Sequence, residues 1–195
     1  MNDAPQTQQR SRLGPLRVAL IVLIALLAVA VAWALIAGGD DDEGSGATEG
    51  DPAPARIVSA AELSDIAAVS DTPIYWAGER PGTELEYDEG IGDRVFVRYL
   101  TGGAEAGDPR PAFLTIATYP LADPAEALQA NARRTNTRVQ RARGGALVWV
   151  NPDRPQSVYL AEPGSTHQVE VYDPLPRRAL RVALSGEVVS ASSGS

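Results

Sequence analysis

The chain has 195 residues, with 25 acidic side chains against 17 basic ones and a formal net charge of −8. It contains no cysteine, which excludes disulfides, thiolate metal sites and cysteine nucleophiles together, and its single histidine leaves too few ligands for a zinc site. Every basic residue is arginine, and the acidic balance argues against nucleic acid as a partner, since that wants a basic surface.

Residues 1–17 are polar and carry Arg10, Arg12 and Arg17. They are too short for a catalytic domain. Residues 18–37 follow as twenty positions without charge, proline or glycine. At about 1.5 Å of rise per residue a helix of that length spans about 30 Å, the hydrocarbon thickness of a bilayer. Arginines precede the stretch and Asp40, Asp41, Asp42 and Glu43 follow it, so the N-terminus is expected in the cytoplasm and the remainder outside. A cleaved signal peptide is the rival reading, because Ala32 and Ala34 around Trp33 resemble a cleavage site. A signal core is usually about 7–15 residues, which favours an uncleaved anchor. Residues 38–56 hold glycine, proline, six acids and one arginine and read as a flexible linker. That leaves 57–195 as one extracytoplasmic domain, long enough to bury a core.

Within the domain, Ser59 and Glu62 form a capping-box pattern that opens a helix to about Val69. Strands are expected at 74–76 and 83–87, with a turn at 88–92. The run 94–100 alternates clearly, with Val95, Val97 and Tyr99 on one face and Arg94, Phe96, Arg98 and Leu100 on the other. A loop over 101–111 leads to another strand at 112–119. Asp123, Pro124 and Glu126 predict a helix start, with Asp123 as the cap, running to about Arg134. Two hairpins follow, 138–143 with 146–150 around Gly144 and Gly145, and 157–162 with 167–172 around Pro163 and Gly164. In the last of these strands Val169 and Val171 are expected to face inward and Gln168, Glu170 and Tyr172 outward. A final helix carries Ala179, Leu180, Ala183 and Leu184 on its apolar face and stops at Gly186; a short strand is expected at 187–190. Tyr119 and Tyr172 each end a strand that enters a helix carrying Ala-Leu, an echo that a duplication or ordinary strand-to-helix grammar would explain.

The segments 73–78 (PIYWAG), 95–100 (VFVRYL), 113–120 (FLTIATYP), 168–174 (QVEVYDP) and 185–188 (SGEV) resemble membrane-anchored extracytoplasmic proteins of high-GC Gram-positive bacteria. The resemblance covers about 59–190 and the anchor. It implies this architecture and brings no activity, cofactor or binding residue with it.

The chemistry-bearing patterns are weak. His167 has serines and acids around it in the sequence but no nucleophile elbow, so a hydrolase triad is not supported and an exposed hairpin residue is expected. Gly102, Gly103 and Gly107 suggest a phosphate loop, yet such loops lead into helices and this one leads into a strand. Glu84 and Glu86 share a strand face and would suit a carboxylate pair, although alternating acids on a solvated face are commoner. Tyr75, Trp76, Tyr99, Tyr119, Trp149 and Tyr159 are expected to fill the core rather than line a groove. Arg133, Arg134, Arg138, Arg141 and Arg143 place five guanidiniums within eleven residues, as a charged edge strand or as a patch for an anionic ligand. If charge binds anything, Arg138, Arg141 and Arg143 are the candidates, the last two sharing a strand face.

The expectation is thus an α+β protein: an N-terminal transmembrane helix, a linker, and one antiparallel-sheet domain with two or three short helices. Its partners are the bilayer through 18–37 and an envelope polymer or membrane protein, with no cofactor, no metal and no nucleic acid. Its class is a non-enzymatic binding or scaffolding module of the cell envelope. The alternative is an accessory or sensor subunit whose contacts run through the span, where Ala28, Ala30, Ala32 and Ala34 offer small faces for helix packing. A cell-wall hydrolase ranks below both.

Overall fold

The computed structural model describes residues 53–193. The tail 1–17 expected in the cytoplasm, the apolar stretch 18–37 and nearly all of the linker lie outside the described residues, and so do 194–195.

Among the described residues, ten strands and three α-helices follow one another as β1 (Arg56–Val58), α1 (Ala60–Val69), β2 (Tyr75–Trp76), β3 (Glu84–Gly90), β4 (Arg94–Leu100), β5 (Leu114–Pro120), α2 (Pro124–Arg134), β6 (Gln140–Arg141), β7 (Leu147–Val150), β8 (Ser157–Ala161), β9 (His167–Tyr172), α3 (Pro176–Ser185) and β10 (Val189–Ser190). Eight strands form one sheet in the order β1-β3-β4-β5-β9-β8-β7-β6, and β2 pairs with β10 separately. Every pairing is antiparallel. The α+β class and the antiparallel sheet agree with the sequence reading. Among the described residues no helix is long and apolar enough to cross a membrane.

Local chemistry explains most element ends. Ser59 accepts from the Glu62 amide while the Glu62 carboxylate accepts from the Ser59 amide at 2.7 Å, so both halves of the capping box form. Gly186 ends α3 at φ 82°, a left-handed conformation in which a side chain is strained. Asp123 departs from expectation. It precedes α2 but sits at φ 53° and makes no side-chain cap bond, because the left-handed turn aims its carboxylate away from the free amides; Pro124 opens the helix without it.

Three further boundaries differ from the sequence reading. The first strand starts at Arg56 rather than in a domain beginning at 57, and three residues before a helix are too few to show alternation. The turn after β3 is shorter than 88–92, since β3 pairs with β4 through Gly90 opposite Arg94. The strand expected over 138–143 is paired only at Gln140 and Arg141. Beyond them Ala142 turns back, with the Gly145 amide donating to the Ala142 carbonyl at 3.0 Å.

On one sheet face Leu85, Val95, Val97, Ile116, Val148, Val158, Leu160, Val169 and Val171 join one core with Leu63 of α1 and Ala179, Val182 and Ala183 of α3. Helix α2 lies against β7 and β8, as α3 does, and must take the other face. There Trp149 stacks on Tyr159, and its indole N–H donates to Thr137 just beyond α2 at 2.8 Å. Strands at that end are covered on both sides, so β8 is buried at all five positions and cannot alternate. Helices α2 and α3, which follow the Tyr119 and Tyr172 echo, lie on opposite faces of the sheet.

Candidate functional site: buried carboxylates and an arginine surface

The first polar centre is a clasp on the α2 side of the sheet. Glu86 and Arg98 are register partners on β3 and β4. The Glu86 carboxylate is fully buried, accepts from the Arg98 guanidinium at 2.7 Å with one oxygen, and accepts from the Gly107 amide at 2.7 Å with the other. Arg98 also donates to the Asp108 carbonyl at 2.6 Å and lies over the Phe113 ring. Loop 101–113 is therefore folded down onto the sheet by one ion pair. This corrects the reading of Glu84 and Glu86 as acids on a solvated face: Glu84 is exposed, but the loop covers Glu86. Asp108 is in turn held by Arg110 at 2.5 Å, which brings its carboxyl down to about 2. The glycines of the loop thus serve a hairpin connection. An open depression of about 560 Å³ along Gly103–Arg110 is lined by backbone, small side chains and Glu105, with Asp108 and Arg110 spent on each other.

The second centre surrounds Glu170, whose burial corrects the expectation that it faces out. It stands between Ala117 and Tyr159 in register and is 2% exposed. Burial raises its carboxyl above the ordinary value, while hydrogen bonds from Ser157 and Tyr119 and the charge of Arg154 pull the other way. The Tyr119 hydroxyl donates to it at 3.0 Å. The phenols of Tyr119 and Tyr159 are raised, by burial first and by the Glu170 charge second. A perturbed carboxyl beside phenols and a hydroxyl is the combination that acid–base sites use. Here the Tyr119 and Ser157 hydroxyls are spent on Glu170, and the group ties β5, β8 and β9 together.

Neither centre includes His167. That side chain is half-buried at the start of β9, its Nδ1 is 3.2 Å from Thr166 Oγ1, and partial burial lowers its basicity while Asp93 opposes the shift. Among the described residues no group of three or more His, Asp or Glu is placed to hold a metal ion. Of the aromatic set, Tyr75, Tyr99, Trp149 and Tyr159 are buried, and Trp76 and Tyr119 are half-buried. The Tyr99 hydroxyl accepts from the Ala77 amide at 2.7 Å, and burial lifts its pKa to about 12.

The five arginines of 133–143 are all exposed, yet they do not form one patch. Arg133 and Arg134 sit at the end of α2, on one side of the sheet. Arg141 turns back to the Gly145 carbonyl at 3.0 Å, and Arg138 precedes the paired part of β6. Arg143 has left the strand altogether. Its amide donates to the Leu184 carbonyl at 3.2 Å, which sets it against the last turn of α3. The shared strand face expected for Arg141 and Arg143 is lost because the turn begins between them.

No family model, curated protein or solved structure matches this chain. Sequence reasoning missed the Glu86–Arg98 and Glu170 centres by assuming that one face of each strand is wet. The available signal was a charge flanked by core residues, as Arg98 is by Val97 and Tyr99, and Glu170 by Val169 and Val171.

Proposed function

We propose that this protein is a single-pass envelope protein whose folded domain, held outside the cytoplasm on an acidic linker, binds or scaffolds another surface component. The observation that carries this reading is how the domain uses its buried charge. Glu86 is spent on Arg98 and Gly107, Glu170 on Tyr119, and Asp173 on Arg178 and the Leu175 amide. Groups with the burial and chemistry for catalysis are consumed in joining strands, loop and helix. What remains for recognition is the exposed surface. The sequence order supports the location: arginines, twenty apolar residues, an acidic linker, then a fold stable without disulfides.

Because the chain has no cysteine, single cysteines report its sidedness cleanly. In intact cells Ser11→Cys is expected to resist a membrane-impermeant maleimide, and Ser165→Cys, half-exposed in the turn of the β8–β9 hairpin, to react. Labelling in the reverse sense, or recovery of the chain in the soluble fraction, would overturn the location. Crosslinking from Ser165→Cys in the same cells tests the binding role, which fails if no surface component is captured. Replacing 18–37 by an unrelated apolar helix separates the accessory-subunit reading: an envelope module keeps its function after the swap, and a subunit acting through the span does not.

A further inference from the structure

Eight of the thirteen arginines beyond residue 56 lie in two stretches without any acid, 127–152 and 174–186. They are far apart in sequence, and the fold brings the Arg143 turn of the first against the helix end of the second. The Arg143 amide bonds the Leu184 carbonyl, and a Cβ placed on Gly186 would lie 3.1 Å from the Arg143 Cβ. The β6–β7 turn therefore rests on the carbonyl end of α3. Arg177, Arg181 and Leu184 follow i, i+4, i+7 along one stripe of that helix. Both arginines are exposed, with Arg181 one turn from the carbonyl that holds Arg143. Nearby acids are engaged elsewhere: Glu187 pairs with Arg80 at 2.8 Å, and Asp173 with Arg178. The result is a positive ridge of Arg143, Arg177 and Arg181 on a domain whose total charge is negative.

Three occupants compete for this ridge. The acidic linker enters at β1; Arg143 lies at the β6 end, seven strand spacings or about 34 Å away, and α3 lies over β9, β8 and β7, about 19–29 Å away. Asp51 is five residues from Arg56 and reaches at most about 17 Å; the run Asp40–Glu43 reaches about 44–54 Å at full extension, but a flexible chain of its 13–16 residues averages about 18–24 Å and falls short of the Arg143 end. A bilayer surface fits poorly as well. Surfaces that dock on lipid combine basic residues with apolar or aromatic side chains that enter the headgroup layer; the exposed large apolar residues that flank α3, Leu175 at its N-cap and Val189 in β10, are single and lie off the Arg177–Arg181 stripe. The Arg143 end of the ridge stands at the sheet edge opposite the chain's entry. A flexible linear polyanion can follow a ridge of guanidiniums, each able to grip phosphate through paired N–H donors.

We propose that Arg143, Arg177 and Arg181 form a binding ridge for a linear phosphate-bearing polymer beyond the membrane. The proposal rests on the envelope-module reading only for where the polymer is met. The test uses the full chain in nanodiscs of zwitterionic lipid with long-chain inorganic polyphosphate as the probe. The triple variant Arg143→Gln, Arg177→Gln, Arg181→Gln is expected to bind roughly tenfold more weakly at low salt, with the difference shrinking as salt rises. The triple change to Lys keeps the charge and should stay within about threefold of the parent, and Arg133→Gln with Arg134→Gln, on the other side of the sheet, within about twofold. Since Arg143 also sits at the end of α3, the pair Arg177→Gln and Arg181→Gln repeats the test on an exposed helix face alone, with an expected loss of about fivefold. Binding of the triple Gln variant within about twofold of the parent overturns the ridge. A parent that ignores polyphosphate but binds discs containing anionic lipid overturns the polymer and leaves a membrane surface in its place. Cysteine labelling from the wrong side would overturn the envelope reading while leaving these affinities intact, so the two fail separately.

Discussion

Replacing Arg98 by Met is expected to be among the most damaging single changes in the domain. It removes the guanidinium from Glu86, whose carboxylate has no exposure to water, and it frees the Asp108 carbonyl that the same guanidinium holds. Breaking one side of a buried pair costs about 3–5 kcal/mol, because the remaining charge stays desolvated without its counter-charge. Glu86→Leu alone should cost a similar amount and also orphan the Gly107 amide. The double variant removes both charges, so only the loop's lost hydrogen bonds remain, at about 1 kcal/mol each. The coupling between the two sites is then about 3 kcal/mol or more. In urea unfolding of the full chain, a loss of about 4 kcal/mol with a slope near 2 kcal/mol/M moves the midpoint down by about 2 M. Loop 101–113 should also exchange its amide hydrogens faster in either single variant. Additive single effects, or singles that each cost under about 1 kcal/mol, would refute the claim that this pair holds the loop.

Further outcomes follow from the same contacts. Glu170 has its carboxyl raised by burial. Its stabilising contribution is therefore complete below the unfolded value near 4.5 and is lost as pH rises toward the folded value. Glu170→Gln should unfold at the same or higher urea than the parent at neutral pH, with the difference narrowing in acid. A clearly less stable Gln variant at neutral pH would mean that the carboxylate's charge is needed. Ser59→Ala removes an acceptor for the Glu62 amide and should cost about 1 kcal/mol, read as a lower melting temperature; no change would mean that α1 is held by packing alone. Gly186→Ala forces a side chain into φ 82° and against the Arg143 Cβ at 3.1 Å, for a loss of at least about 1 kcal/mol. A neutral result there would show that the α3–turn junction yields easily.

Much of the secondary structure was legible because it is locally caused. The capping box at Ser59 and Glu62, Pro124 and Pro176 at helix starts, Gly186 at a helix end and the alternation of 94–100 each act within a few residues. Asp123 was misread because its residue type favours capping while its backbone takes a left-handed turn that only the chain's path between β5 and α2 requires. The candidate site was less legible. Arg138, Arg141 and Arg143 are neighbours in the chain, but the turn after Arg141 separates their directions, and Arg143 gains its companions from 177–181.

What the sequence determined by itself is the order of its parts: basic tail, apolar stretch, acidic linker, and a domain without disulfide or thiolate chemistry. It also determined the type of nearly every element, because helix caps, turn glycines and apolar periods are short-range effects. Only the tertiary structure decided which strand faces are dry. That question depends on what is laid over each strand: α2 over Trp149 and Tyr159, and loop 101–113 over Glu86. Covering both faces erases the alternation by which a sequence reports burial, so Glu86, Arg98 and Glu170 look like surface charges until the layers are known. The same holds for charge. Arg143 and Arg181 stand 38 positions apart and become neighbours only because a turn amide bonds the end of α3, a long-range contact with no local signature.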